Sequence, residues 1–240
     1  MYQALDPDKI IATLQHLQQR IDQRFPNSGL GRVCGELIQT AGATSARAAQ
    51  LTAPNWPLRV AVGAVLVLGV IAQIAAAKFL HLEEVETNLG LLQTLEAAVN
   101  LLILFGGAAW FMVTLEERLK RQRALDALHE LRSFAHVIDM HQLTKDPTLI
   151  VQERAPPKPM SKFALTRYLD YCAEMLALIG KLAALYADRM RDAVVIEGVT
   201  EIETLTTDLS RKIWQKIMII GTIEDVEPAA ANVSVPPPTA

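Results

Sequence analysis

The chain has 240 residues, 51% of them hydrophobic, and its 23 Lys and Arg against 26 Asp and Glu give a formal net charge of −3. This balance excludes a general attraction to nucleic acid, and we expect no nucleic-acid partner. Cys34 and Cys172 each lie among apolar residues at helical spacing, on the side of the membrane predicted below to be cytoplasmic, so both are predicted to be buried, reduced thiols.

Residues 1–53 are predicted to form N-terminal cytoplasmic helices. Asp6 followed by Pro7 is typical of a helix start. The segment lacks a basic stretch followed by an apolar one, so we expect no cleaved signal peptide. Apolar side chains then recur at four-three-four spacing, which predicts one buried seam on the first helix. The seam consists of Ile10, Leu14, Leu17 and Ile21.

Two uncharged apolar runs, Val60–Ala77 and Ala97–Leu115, dominate the middle of the chain. Each is close to the ~20 residues that a helix needs to cross a ~30 Å hydrocarbon core. We therefore predict an all-α fold in which a two-span transmembrane hairpin holds a cytoplasmic helical bundle or coiled coil at the membrane. The hairpin covers 58–115, with spans at about 58–78 and 95–115 and a short outer loop.

Basic residues flank the outer ends of this hairpin. By the positive-inside tendency, both termini are cytoplasmic and the protein is a multi-pass protein of the cell membrane, the bacterial inner membrane fitting best. Trp56 and Trp110 are predicted to lie at the same cytoplasmic interface, where indole rings are favoured. The basic residues are Arg47, Arg59, Arg118, Lys120, Arg121 and Arg123.

Three polar side chains fall in or beside the apolar runs. Gln73 and Asn100 are predicted to share a depth, and Glu96 lies further out on the stripe of Asn100. One interpretation is a hydrogen bond that fixes the rotation of the two spans. The alternative is an oligomer whose spans line a polar path with Glu96 at its mouth.

Residues 116–143 are predicted to extend the second span as a cytoplasmic helix. Within it, His129-Glu130-Leu131-Arg132-Ser133 resembles the phosphoacceptor H-box of sensor histidine kinases. The resemblance implies that His129 accepts a phosphoryl group. The alternative is an ordinary solvated His–Glu pair on a helix surface.

A second histidine cluster follows in the same helix. His136, Asp139 and His141 could supply metal ligands, although their spacing matches no standard metal motif. The structural interpretation has His136 packed in a helix interface with Asp139 fixing its tautomer, and a pH-sensitive contact is a further alternative. We expect no cofactor.

The C-terminal half is predicted to be helical apart from a Pro-containing linker at 144–162 and a disordered tail at 221–240. Apolar residues cover most of the helix that begins near Phe163, which predicts burial by several neighbours, with a third membrane span as the rival interpretation. Residues 163–220 could form one helix or two, because no Pro or Gly marks a turn within 187–192.

A short segment near the end combines cations, an indole ring and an apolar stretch. This composition suits an anionic membrane surface or an anchor in a partner's groove. Packing within the chain's own bundle is the alternative. The residues predicted to make the contact are Arg211, Lys212, Trp214, Lys216 and Ile217.

No P-loop, serine elbow, zinc-type Cys spacing or paired-carboxylate motif is present in the sequence, so we predict that the protein is not an enzyme. The predicted function is that of a scaffold, assembly factor or regulatory subunit that works through helix–helix contacts. Its predicted partners are membrane lipid, further copies of itself and other proteins. The alternatives are a membrane signal-transducing component and a subunit of a channel or transporter.

Overall fold

The protein is described from a computed structural model that covers residues 5–52, 56–80, 88–145 and 160–222. Every regular element within these ranges is a helix, which confirms the all-α class. The helices are α1 (Pro7–Arg24), α2 (Gly29–Thr52), α3 (Trp56–Leu80), α4 (Asn88–Leu143), α5 (Lys162–Arg189) and α6 (Ala193–Thr222). The central part of the predicted linker, 146–159, and the tail from 223 onward lie outside the described residues, as does the predicted outer loop at 81–87.

Serine side chains cap the first turns of α2 and α5. The Ser28 hydroxyl accepts a hydrogen bond from the backbone N–H of Gly31 at 3.1 Å, and α2 begins at the next residue. Ser161 does the same for Ala164 at 3.2 Å before α5. Each hydroxyl satisfies one of the N–H groups that have no partner in the first turn of a helix.

The region after residue 162 forms two helices, which answers the question that the sequence left open. The Asp192 carboxylate accepts hydrogen bonds from the N–H groups of Val194 and Val195 at 3.0 and 3.3 Å, so Asp192 is the N-cap of α6. The same carboxylate accepts a hydrogen bond from Arg121 Nε at 2.8 Å. Burial alone would raise the pKa of Asp192, but these hydrogen bonds outweigh it and lower the pKa below its usual value.

The chain divides into two compact units. The first unit comprises residues 1–7, 40–132 and 182–202, and its buried positions come from α2, α4, α5 and α6. The Glu130 carboxylate there accepts hydrogen bonds from Arg47 at 2.8 Å and from the Thr40 hydroxyl at 3.3 Å. Buried apolar residues of this unit include Ala41, Ala124, Leu128, Leu131, Leu182, Tyr186, Val195 and Ile202.

The second unit comprises residues 8–39, 133–181 and 203–240. The predicted seam of α1 is buried in it, with Leu14, Leu17 and Ile21 fully enclosed. The predicted burial of α5 on most of its circumference is also confirmed, because its apolar side chains are enclosed at nearly every turn. The buried residues of α5 in this unit are Leu165, Tyr168, Leu169, Tyr171, Cys172, Met175, Leu176, Leu178 and Ile179.

Within the described ranges, no helix combines the length and the apolar character that crossing a membrane requires.

Candidate functional site

Helices α3 and α4 pack side by side in opposite directions within the first unit. A Cβ atom placed on Gly69 of α3 would lie 2.5 Å from Cζ of Phe105 on α4, so the absence of a side chain at Gly69 makes room for this ring. Arg59 at the start of α3 contacts Glu116, which is further along α4. The two contacts fix an antiparallel register in which residues that lie opposite each other have numbers adding to about 175.

Three charged side chains, Arg59, Glu116 and Lys120, form a cluster at one end of this hairpin, called the Glu116 cluster below. Glu116 accepts a hydrogen bond from Arg59 Nε at 3.2 Å, and its other carboxylate oxygen lies 3.0 Å from Lys120 Nζ. The Glu116 side chain is only 10% exposed. Because a carboxylate that is withdrawn from water needs charged partners, the two cations are what allow Glu116 to lie here.

Large apolar side chains on both helices of the hairpin are exposed rather than buried against the protein. Leu68 on α3 is 65% exposed and Leu102 on α4 is 75% exposed. A helix pair that exposes many large apolar side chains is typical of a binding surface for a membrane or a protein. Its members are Val60, Val65, Val67, Leu68, Val70, Ile71 and Ile74 on α3, and Val99, Leu102, Ile103, Leu104, Trp110 and Phe111 on α4.

The polar residues of the hairpin lie near its other end. Asn100 and Glu96 are both exposed, and the register puts Glu96 at the level of Lys78 on α3. The backbone of Gln73 lies across from that of Leu101, next to Asn100, but its side chain is outside the described residues. Glu96 and Lys78 therefore mark the border of the apolar surface rather than its middle.

The prediction for the two tryptophans is wrong in one respect. Both rings are exposed, Trp56 by 68% and Trp110 by 74%. The register set by Gly69 and Phe105, however, puts Trp110 across from Val65. Val65 and Trp56 are separated by about 13 Å along the axis of α3. The two indoles thus belong to different levels of the hairpin.

His129 lies on the surface of α4, beside a recess of about 130 Å³ that Leu125, Arg132 and Gly198 help to line. Glu130 next to it is bound to Arg47 and Thr40, so the interpretation of His129 and Glu130 as a simple solvated pair is wrong. Arg132, one turn further along, pairs with Glu201 of α6.

The second histidine cluster is spread over different faces of α4. His136 is exposed, which contradicts the interpretation that it packs in a helix interface. Asp139 accepts a hydrogen bond from the side chain of Gln142, and His141 lies against the start of α2 at Gly29. Throughout the described ranges, no group of three or more His, Cys, Asp or Glu is arranged to hold a metal ion.

The predicted contact segment on α6 divides into two kinds of residue. Arg211, Lys212 and Trp214 are exposed, the indole by 57%. Lys216 instead donates hydrogen bonds to the backbone carbonyl of Gln142 at 3.0 Å and to its side-chain Oε1 at 2.7 Å. Ile217 is half-buried. Lys216 therefore binds the last turn of α4, where carbonyl groups have no partner in the helix.

The two cysteines are both free and fully buried in the second unit, as predicted. Burial raises the pKa of each thiol to about 12, and Lys216 and Lys145 oppose this effect at Cys172. The Cys34 thiol donates a hydrogen bond to the carbonyl of Leu14 at 3.8 Å. Neither environment activates a thiolate, so both thiols have a structural role.

Two groups of interacting residues are not predicted by the sequence analysis above. Glu116 is the first acid after the second apolar run and precedes Lys120 by four residues, a spacing that predicts their contact but not the one with Arg59. Arg20 and Arg24 are also four residues apart on the polar side of α1, and with Tyr171 they line a cleft of about 420 Å³ in the second unit.

Comparison with known proteins adds no functional assignment: no family model, no curated protein and no solved structure matches this chain. Function is therefore inferred from the hairpin and from the side chains that surround it.

Proposed function

We propose that this is an integral membrane protein anchored by the α3–α4 hairpin, and that it acts without catalysis as a scaffold, assembly factor or regulatory subunit. One observation is the main support: an uncharged apolar surface is bordered by charge at both of its ends. Arg59 and Glu116 form a pair at one border, and Lys78 and Glu96 lie at the same level at the other. A soluble protein has no reason to confine charge in this way while exposing large aliphatic side chains.

The length of the surface suits a bilayer. The run Val60–Ala77 corresponds to about 27 Å of helix, close to the ~30 Å thickness of the hydrocarbon core. The unbroken runs are a property of the sequence, since the side chains of Gln73, Ala76, Ala77, Ala97, Ala98, Leu101 and Val113 lie outside the described residues. The described side chains between them support the same interpretation by their exposure.

The charge distribution supports a cytoplasmic location for both termini. Arg59, Lys120 and Arg121 lie at the end of the hairpin that holds the Glu116 cluster, whereas Lys78 is the basic residue at the other end among the described residues. Short loops rich in Lys and Arg remain in the cytoplasm. The cell membrane, and the bacterial inner membrane in particular, is the proposed location.

The anchor is tested by extraction and labelling. Membranes from cells that make the full chain are washed with alkaline carbonate, and the protein is expected to stay in the membrane pellet. In a Cys34→Ala, Cys172→Ala background, the Glu84→Cys variant should react with a membrane-impermeant maleimide in intact cells. The matched Asp126→Cys variant should react only after lysis. Release by carbonate, or equal labelling of both sites in intact cells, would refute the proposal.

The scaffold role is supported by exposed apolar side chains on the second unit. Met140 and Leu143 near the end of α4, and Trp214 and Met218 near the end of α6, are each more than half exposed. Aromatic residues and methionine are typical of protein interfaces. Native electrophoresis and crosslinking at low concentration after mild-detergent purification should show an oligomer or a defined co-purifying protein. A bare monomer would count against this role.

A signal-transducing component is the second proposal, and the unbroken course of α4 from Asn88 to Leu143 is the observation that favours it. One helix holds both the second apolar run and His129, as a signalling stalk would. Acid-labile phosphate on the wild type that disappears in His129→Gln would support phosphotransfer. Its absence in the presence of a competent kinase would remove this version.

A channel or transport subunit is the third proposal and has the least support. Glu96 lies at the border of the apolar surface, where a carboxylate remains in contact with water and needs no polar path. The Glu96→Gln and Asn100→Leu variants, reconstituted into vesicles, should therefore show the same ion flux as the parent protein. An ion flux that is present in the parent and lost in these variants would favour the channel.

A further inference from the structure

A cleft of about 420 Å³ lies between the end of α1 and the first half of α5 in the second unit. Arg20, Gln23, Arg24 and Tyr171 line it. Two guanidinium groups and an amide supply many more hydrogen-bond donors than acceptors, so the cleft suits a negatively charged group.

One arginine of the cleft is already paired. Arg20 donates two hydrogen bonds to the two carboxylate oxygens of Glu174, and its guanidinium lies 5.5 Å from the centre of the Tyr171 ring. The Glu174 hydrogen bond raises the pKa of Arg20 above its ordinary value. Arg20 is therefore fixed in position and partly neutralised.

The other arginine, Arg24, is available to bind a negatively charged group. Arg24 stacks on the Phe163 ring, 4.9 Å from its centre, and makes no ion pair with any residue in the described ranges. Arg167 lies over the same ring at 5.6 Å but pairs with Asp170 at 3.3 Å. Stacking orients the Arg24 guanidinium while leaving its N–H groups available.

We propose that this cleft binds an acidic side chain of a partner protein, with Arg24 as the charged donor and Gln23 as a neutral donor. Arginine and tyrosine are the residues that dominate binding energy in protein interfaces. A lipid surface fits less well, because the Phe163 ring has an arginine stacked on it and cannot insert its face among acyl chains. This inference deepens the scaffold proposal and rests on it, but it does not depend on the membrane anchor.

The test uses the full chain in neutral-detergent micelles and a fluorescein-labelled hexaglutamate peptide, with binding followed by anisotropy at low salt. Arg24→Gln should weaken binding about tenfold or more, the usual effect of losing one hydrogen bond to a charged group. The matched control Arg32→Gln removes an exposed arginine of α2 that does not line the cleft, and it should change binding less than twofold. Circular dichroism verifies the fold of each variant.

A variant that gains affinity separates the proposal from a folding defect. Glu174→Gln releases Arg20 from its internal partner and should strengthen peptide binding about two- to fivefold, as expected when an exposed ion pair is removed. Equal losses in Arg24→Gln and Arg32→Gln would overturn the proposal, and so would the absence of binding at millimolar peptide. Displacement of the peptide by equimolar inorganic phosphate would identify a small-anion site and refute a protein partner. None of these results bears on carbonate extraction, so the anchor stands or fails separately.

Discussion

At the level of single residues, Tyr186 is the largest fully buried side chain among those that the structure describes. Its hydroxyl neighbours that of Thr44, yet neither has a hydrogen-bond partner of acceptable geometry among the described residues. Burial raises the pKa of Tyr186 above its ordinary value, since the charged form would be poorly solvated. The ring contributes apolar packing, and the hydroxyl adds a desolvation cost.

Tyr186→Phe is therefore expected to leave the free energy of unfolding unchanged or to raise it by about 1 kcal/mol, because it deletes a buried group that makes no bond. Denaturant unfolding of the detergent-solubilised protein measures this. Tyr186→Ala is the control, and should cost about 3–5 kcal/mol as a cavity forms. A loss above 1 kcal/mol in Tyr186→Phe would show that the hydroxyl is bonded after all.

His136 and Lys216 show that the helix face, and not the residue type, decides whether a side chain meets protein or water. The interpretation of His136 as an interface residue is wrong, whereas Lys216 follows the alternative in which the segment packs within the chain's own bundle. The buried positions of α4 at Ala135 and Ile138 leave His136 exposed. Lys216 lies near the buried stripe of α6, where its long side chain reaches Gln142.

At the level of elements, α6 stabilises the end of α4 through Lys216. Lys216→Met keeps the length of the side chain but leaves the carbonyl and the amide oxygen of Gln142, which is 1% exposed, without this donor. The expected loss is about 1–3 kcal/mol of unfolding free energy. Lys212→Met, on the exposed surface of the same helix, should stay within about 0.5 kcal/mol. Equal losses, measured by urea titration, would refute the role of Lys216.

The close approach of α3 and α4 gives a second test. Gly69→Leu should push the Phe105 ring away and cost about 1–3 kcal/mol through overpacking. Gly63→Leu is the matched control on the same helix, because nothing lies within 4 Å of a Cβ placed there. Thermal unfolding in mild detergent should show a lower midpoint for Gly69→Leu alone. A shared shift would mean that helix propensity, and not this contact, is being measured.

The break between α5 and α6 shows what a search for Gly and Pro misses. Asp192 is a strong N-cap residue, and it stands directly before the apolar run that starts α6. The sequence therefore held a signal for two helices. Its other partner, Arg121, lies 71 residues away in the chain, and no local pattern predicts that pairing.

At the level of the whole molecule, stability should fall in alkaline solution. The pKa of Cys34 and of Cys172 is raised from 9.0 to about 12 in the fold, so the folded state retains protons that the unfolded chain releases. Their contribution is intact below pH 9 and is lost between pH 9 and about 12. Between pH 9 and 10 the loss should be about 1 kcal/mol per thiol.

Unfolding free energies at pH 8, 9 and 10 measure this decline, with the Cys34→Ala, Cys172→Ala variant as the control. Its curve should be flatter over the same interval, since Tyr168, whose pKa is also raised by burial, has an ordinary pKa of 10.0 and loses its contribution mainly above that pH. Parallel curves for the two proteins would contradict the assignment.

The sequence was sufficient for the helical class, the seam of α1 and the enclosed character of α5, because each follows from apolar spacing within one helix. It does not predict which helices pack together in the same compact unit. Each compact unit is built from three separate stretches of the chain, and amphipathic faces show that a helix has neighbours without showing which. The cleft of Arg20, Arg24 and Tyr171 depends on such a grouping.

The composition of the second unit also determines the order in which the protein can form during synthesis. Its core needs residues from α1 and from the end of α6, so it cannot close until nearly the whole chain has left the ribosome. The α3–α4 hairpin emerges long before that point. The proposed anchor therefore leaves the ribosome while the apolar seam of α1 is still without the α5 and α6 residues that bury it in the finished unit.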